Sequence, residues 1–206
     1  NDGDGYVDEG SGPTLLLLHG NPAWSFLYRH LIADLRADYR CVAVDLPGFG
    51  LSSARPGFSF RPKEHSEAVE GFADHLGLEG VTMMVQDWAG PIGLGLAGRR
   101  PGLASRLVIG NTWAWPVEGN RHFSRFKAEM VHYRRPFPTP ASRTPTSVFP
   151  REIIGSTAWL AEVEEGLASL RDLPTLIVWG RKDIAFRKPE LARFEELFPH
   201  HRTVLL

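Results

Sequence analysis

Apolar residues fall in short unbroken runs separated by longer amphipathic stretches. The runs at Thr14–Leu18, Arg40–Val44, Gly80–Val85, Ala104–Ile109, Leu173–Trp179 and Thr203–Leu206 are continuous rather than alternating, the pattern of strands buried on both faces of a parallel sheet. Between them the spacing turns helical, over Trp24–Leu35, Pro62–Leu76, Ala89–Arg100 and Pro189–Leu197. In the second of these, Ala68, Val69, Phe72, Ala73 and Leu76 share one face. Strand alternating with helix predicts an α/β fold, a mainly parallel sheet flanked by helices.

The alternation stops between Pro116 and Asp172. No strand-like run occurs there, and Pro136–Pro150 holds five prolines, which taken alone predicts a linker or loop. Its flanks, with Phe123 and Phe126 before and Ile153, Ile154 and Trp159 after, are apolar enough to dock as a lid. The expected division is a core of residues 1–115 and 173–206 with an inserted cap of residues 116–172.

With 206 residues, 43% hydrophobic and 23% charged, the chain can bury a globular core. Lys plus Arg number 23 and Asp plus Glu 24, without a long block of either sign, which argues against nucleic acid or an anionic membrane as the main partner. The longest aliphatic run, Leu15–Leu18, is far short of the roughly 20 residues of a membrane span. A single cysteine, Cys41, and no secretory pattern in the acidic Asn1–Gly5 segment predict a reducing, cytoplasmic setting. The absent initiator Met leaves room for a preceding segment.

Ligands of parallel α/β folds bind at the carboxyl ends of the strands. Four turns there are informative: His19-Gly20-Asn21-Pro22, Gln86-Asp87-Trp88-Ala89-Gly90, Asn111-Thr112-Trp113 and Gly180-Arg181-Lys182-Asp183. A strand leading directly into Asp87 and a Gly-containing helix start has the form of a nucleophile elbow. The same aspartate suits the N-cap of Ala89–Arg100, and position alone leaves both readings open. A carboxylate is suited to displacing a leaving group at saturated carbon, giving an alkyl ester that water hydrolyses. The departing anion needs donors, which the Trp88 indole N–H and the Asn21 amide can supply. Each also has an ordinary role, Trp88 packing on the sheet and Asn21 forming the turn before Pro22.

Together these turns resemble the haloalkane dehalogenases of the α/β-hydrolase superfamily. The matching residues are His19-Gly20-Asn21-Pro22, Asp45-Leu46-Pro47-Gly48-Phe49-Gly50, Val85-Gln86-Asp87-Trp88, Asn111-Thr112, Phe149-Pro150-Arg151-Glu152 and Trp179-Gly180 through Asp183. The likeness runs along nearly the whole chain. Its specific part is the first turn with Gln86-Asp87-Trp88; the Asp45–Gly50 turn is common to many α/β-hydrolases.

The resemblance implies an α/β-hydrolase fold with a helical cap, and hydrolysis of a carbon–halogen bond to alcohol and halide through an aspartyl-alkyl ester. The implied ligands are a small halogenated hydrocarbon, halide ion and water, with no cofactor and no metal. It makes Asp87 the nucleophile and Trp88 and Asn21 the halide ligands, their backbone N–H groups forming the oxyanion hole, and it puts Phe149 and Pro150 on the pocket wall. The turn at Asn111 holds no carboxylate, so Asp183 is the candidate triad acid; by itself it also reads as a turn residue in a charged loop. Asn21 with Asp183 resembles a subfamily that tends to form homo-oligomers. Trp113, Trp115, Phe123, Phe126 and Trp159 are expected in the cap core rather than against substrate.

Two departures stand out. The cap is short, with helical material lacking between His122–Phe126 and Ala128–Tyr133, and the resemblance puts the catalytic histidine after the last strand, past Leu206. None of the eight histidines replaces it: His19 belongs to the oxyanion loop, His30, His65 and His75 to outer helices, His122 and His132 to the cap, and His200 and His201 precede the strand. The expectation is that this histidine and part of the cap lie outside the sequence, or that the chain is degenerate. An epoxide hydrolase is the competing enzyme, but its cap tyrosines reduce here to Tyr133. A non-catalytic relative binding an apolar ligand or a partner protein fits the absent histidine, and the retained Asp87, Trp88, Asn21 and Asp183 oppose it.

Overall fold

A computed structural model describes residues 5–118 and 140–206. Phe123, Phe126, His122, His132 and Tyr133 therefore lie outside the described residues. Among the described residues, seven strands form one sheet, β1 (Tyr6–Glu9), β2 (Thr14–Leu18), β3 (Arg40–Val44), β4 (Val81–Asp87), β5 (Ala104–Thr112), β6 (Thr175–Trp179) and β7 (His201–Leu205). Their spatial order is β1-β3-β2-β4-β5-β6-β7. All neighbours are parallel except β1, which runs antiparallel to β3.

The central strands are buried on both sides, as their unbroken apolar runs require. Leu16 and Leu18 of β2 join the larger core with Val42, Val44, Met83, Val85, Leu107, Ile109 and Ile177. Leu15 and Leu17 face the other way, onto Tyr28, Ile32, Cys41 and Ala43. β1 carries no such signal: it is a four-residue, largely exposed edge strand. Long-range bonds hold it, from Asp45 N–H to the Gly5 carbonyl at 2.8 Å and from Arg40 to Asp8 at 2.7 and 2.9 Å.

Among the described residues, six helices accompany the sheet: α1 (Arg29–Leu35), α2 (Pro62–His75), α3 (Gly95–Arg99), α4 (Pro140–Gly155), α5 (Thr157–Gly166) and α6 (Lys188–Leu197). Pro62 and Pro189 stand in the first turns of α2 and α6, where a missing N–H costs nothing. The expected helix at Ala89–Arg100 is a π-helical turn, Gly90–Leu94, that tightens into α3. α3 and α5 meet backbone to backbone, since a Cβ on Gly98 would lie 2.9 Å from the Gly166 carbonyl oxygen.

Two expectations are corrected. The proline-rich stretch is helical in its second half, because α4 includes Pro145 and Pro150. A proline inside a helix costs about 3 kcal/mol, and α4 offsets this by burying Phe149 and Ile153 in the main core, each worth roughly 1.5–3 kcal/mol. Trp115 belongs to the sheet side: its ring packs 4.9 Å from Phe194 of α6, under the Arg193 guanidinium. His65 lies on the flanking helix α2, as expected, with its side chain fully buried. No helix among the described residues is long and apolar enough to cross a membrane.

Candidate active site

Asp87 is the last residue of β4 and has φ of +50°, a conformation that non-glycine residues adopt only when neighbours enforce it. Those neighbours are present. The backbone N–H of Asn21 donates to Asp87 Oδ1 at 2.7 Å, and the Thr112 hydroxyl donates to the Asp87 carbonyl. The turn after β2 approaches closely because residue 20 is glycine: a Cβ there would sit 2.3 Å from Asp87 Oδ1.

His19 holds that turn in place. Leu46 N–H donates to His19 Nε2 at 2.9 Å, so Nδ1 carries the proton and donates to the Gly20 carbonyl at 2.8 Å. Burial pushes its pKa below the ordinary histidine value, against weaker upward pulls from the Gly20 carbonyl and Asp45. Both nitrogens are committed, so His19 is a buttress and not a base. Asp45 braces the same region, accepting from Ser25 N–H at 2.7 Å and Leu51 N–H at 2.8 Å.

Burial raises the Asp87 pKa to about 6; the N–H groups of Trp88 and Asn21 pull it down, and Asp183 pushes it up. The carboxylate is thus ionised but poorly solvated at neutral pH, the state a nucleophile needs. It is flanked by aromatic rings. Trp88, 3% exposed, packs edge-on to Trp113 at 4.6 Å and against Phe149 at 4.9 Å. Phe149 also stacks on His65 at 5.1 Å and touches Phe49 at 5.7 Å.

One unsatisfied polar group belongs to this region: among the described residues, one end of the Asn21 amide, its Oδ1, is buried without a partner. An amide's two ends have nearly the same shape, so turning Asn21 over puts an N–H donor where that unpaired atom lies.

Asp183 sits in the turn after β6, its Oδ1 accepting the N–H groups of Ala185 at 2.7 Å and Phe186 at 2.8 Å. Leu206 is bonded to both sides of that turn, donating to the Trp179 carbonyl at 2.8 Å and accepting from Arg181 N–H at 3.1 Å.

The structure brings Asp87, Asn21, Trp88 and Phe149 together and sets Asp183 within electrostatic reach. Pro150, half-buried on α4, adds no ring contact to the group. Trp113, expected in the cap core, lies instead between Trp88 and Phe186. Sequence reasoning assigned no role to Thr112, whose hydroxyl acts only through the β4–β5 register. Two clefts of about 270 and 290 Å³, beside Phe72 and His75 and beside Trp24 and Arg29, are lined by neither Asp87 nor Trp88.

A family model for the alpha/beta hydrolase fold matches residues 13–157. The fold and the elbow thus define an α/β-hydrolase. Haloalkane dehalogenase 2 of Mycobacterium tuberculosis is 40% identical over 235 aligned positions, covering 98% of this chain and 82% of that protein. A cis-3-alkyl-4-alkyloxetan-2-one decarboxylase of Shewanella oneidensis is 31% identical, covering 95% of this chain and 75% of its own length. Among solved structures, a putative ancestral haloalkane dehalogenase superposes with a TM-score of 0.82 at 28% identity, covering all of this chain and 88% of that one. The chain belongs to the haloalkane dehalogenase family.

Proposed function

We propose that this protein is a haloalkane dehalogenase that uses Asp87 as nucleophile, with Trp88 and Asn21 as halide ligands and Asp183 as the acid of the catalytic triad. The observation that carries the reading is the Asp87 carboxylate itself, held by the Asn21 N–H at 2.7 Å on a strained elbow and raised in basicity by burial. Ionised, it attacks the carbon bearing the halogen; the C–X bond breaks as the C–O bond forms, and the halide leaves toward the Trp88 indole N–H and the Asn21 amide. The product is an alkyl ester on Asp87.

Hydrolysis of that ester needs oxyanion donors and a base. The backbone N–H of Asn21, already bonded to the carboxylate, and that of Trp88, which favours its ionised form, serve as the donors. His19 is committed to its loop, and buried His65 is held neutral by a pKa lowered to about 3, so neither is the base. Residues 116–172 form the proposed cap, with Phe149 and Pro150 on its pocket side. The substrate is a small halogenated hydrocarbon; assembly into homo-oligomers is part of the same proposal. A likeness to a tetrameric haloalkane dehalogenase from Paraglaciecola agarilytica, at 21% identity and a TM-score of 0.86 over 98% of this chain and 80% of that one, concerns the fold alone.

The test is incubation with 1-bromobutane: bromide is released, and a butyl group is found on the Asp87 peptide where hydrolysis is blocked. Release of carbon dioxide from a 3,4-dialkyl-oxetan-2-one, with no bromide from any bromoalkane, would instead align the chain with the decarboxylase relative.

A further inference from the structure

Thr112 ends β5 directly opposite Asp87 in the sheet register and is fully buried. Its Oγ1 donates to the Asp87 carbonyl and lies 3.3 Å from a second acceptor, the Trp113 carbonyl. Gly90 leaves the room this hydroxyl occupies, since a Cβ there would fall 1.9 Å from Thr112 Oγ1. The hydroxyl is thus the packed partner of a glycine at the helix start and of the strained residue three positions earlier.

The peptide joining Asp87 to Trp88 is trans and planar, so its C=O and N–H point in opposite directions. A donor anchored on the carbonyl end orients the N–H end. That N–H acts on the Asp87 carboxylate from the adjoining peptide and favours its ionised form. We propose that Thr112 is a positioning residue: by anchoring the Asp87 carbonyl it aims the Trp88 N–H at the carboxylate and, in the second half-reaction, at the oxyanion. This rests on the reading of Asp87 as nucleophile and deepens it. The hydroxyl acts through the peptide plane and never touches substrate.

The other groups acting on the carboxylate are the Asn21 N–H from the turn after β2 and the charge of Asp183 from the turn after β6. Neither bonds to Thr112. A change at residue 112 therefore reaches the carboxylate through the Asp87–Trp88 peptide.

Thr112→Val keeps the side chain's shape and deletes the hydroxyl; Thr112→Ser keeps the hydroxyl and deletes the methyl. The Asp87 titration is read by ¹³C NMR of protein labelled at the aspartate carboxyl carbons, with Asp87→Asn identifying the signal. The midpoint is expected to rise by about one unit in Thr112→Val, because the ionised form loses a donor, and to return to the parent value in Thr112→Ser. Thr112→Ala carries the same expectation as valine and is smaller than threonine, so it serves where valine disturbs folding. An unchanged midpoint in the hydroxyl-free variants overturns the proposal, as does an equal shift in serine and valine. First-turnover bromide release from 1-bromobutane by the parent separates the two levels: without release the nucleophile reading fails, while the NMR comparison still decides the role of Thr112.

Discussion

Asn111 grips Gly180 with both ends of its side-chain amide: Oδ1 accepts the Gly180 N–H at 2.7 Å while Nδ2 donates to the Gly180 carbonyl at 3.1 Å. A third contact runs from Nδ2 to the Phe186 carbonyl at 3.4 Å. The amide thus ties the end of β5 to both ends of the turn that carries Asp183. An ionised carboxylate at this position would be acceptor-only and would face two carbonyl oxygens.

Asn111→Asp is therefore expected to lower stability by about 1–3 kcal/mol at pH 7. The loss should shrink toward pH 3, where the protonated acid regains one donor. Urea unfolding at both pH values measures it; equal losses at the two would show that donor chemistry at residue 111 is not what holds the turn.

Asp87 is costly to the fold. Its folded pKa, about 6, lies above the ordinary 3.8, so the native state holds this proton more tightly than the unfolded chain. The penalty is fully present above pH 6 and disappears below about pH 4. Asp87→Asn, which also tolerates positive φ, should stabilise the protein by on the order of 2–3 kcal/mol at pH 8 and by nearly nothing at pH 4, while abolishing halide release. Thermal melts across that range give the comparison.

The same shift governs the chemistry. Displacement requires ionised Asp87, so first-turnover bromide release should rise tenfold per pH unit well below 6, bend near 6 and stay flat above 7. Rapid-quench bromide assays follow this profile. A bend near 4 would mean that the buried carboxylate is solvated in the working enzyme.

Trp88→Phe retains the ring packing against Trp113 and Phe149 but removes the indole N–H. Loss of one transition-state donor is worth roughly 3 kcal/mol, or about a hundredfold in rate. Bromide should also quench the remaining tryptophan fluorescence less than in the parent, and undiminished quenching would remove Trp88 from the halide site.

Among the described residues, His65 has no hydrogen-bond partner on either ring nitrogen, and burial, with a smaller contribution from His19, lowers its pKa to about 3. Its folded pKa is depressed, so the unfolded chain binds a proton that the native state refuses between about pH 6.5 and 3. Stability is lost as pH falls through that window. His65→Phe, keeping the stack on Phe149, should melt higher than the parent at pH 8 and by a wider margin at pH 5, as differential scanning calorimetry would show.

The strands were legible in the sequence because a segment buried on both faces must be apolar throughout, and that requirement is local. So was the meeting of the turns His19-Gly20-Asn21 and Gln86-Asp87-Trp88, since both follow parallel strands and such turns gather at the carboxyl edge of the sheet. Tertiary contacts decided the remainder. The helix through Pro145 and Pro150 opposes local propensity and exists because Phe149 and Ile153 gain a core to enter. β1 depends on bonds from Arg40 and Asp45, more than thirty positions away. The inward face of His65, the hold of Thr112 on Asp87 and the grip of Asn111 on Gly180 join residues between 25 and 84 positions apart. Such pairings have no local pattern: a hydroxyl or amide reads the same wherever it stands, and its role is set by the group the fold brings within 3 Å of it.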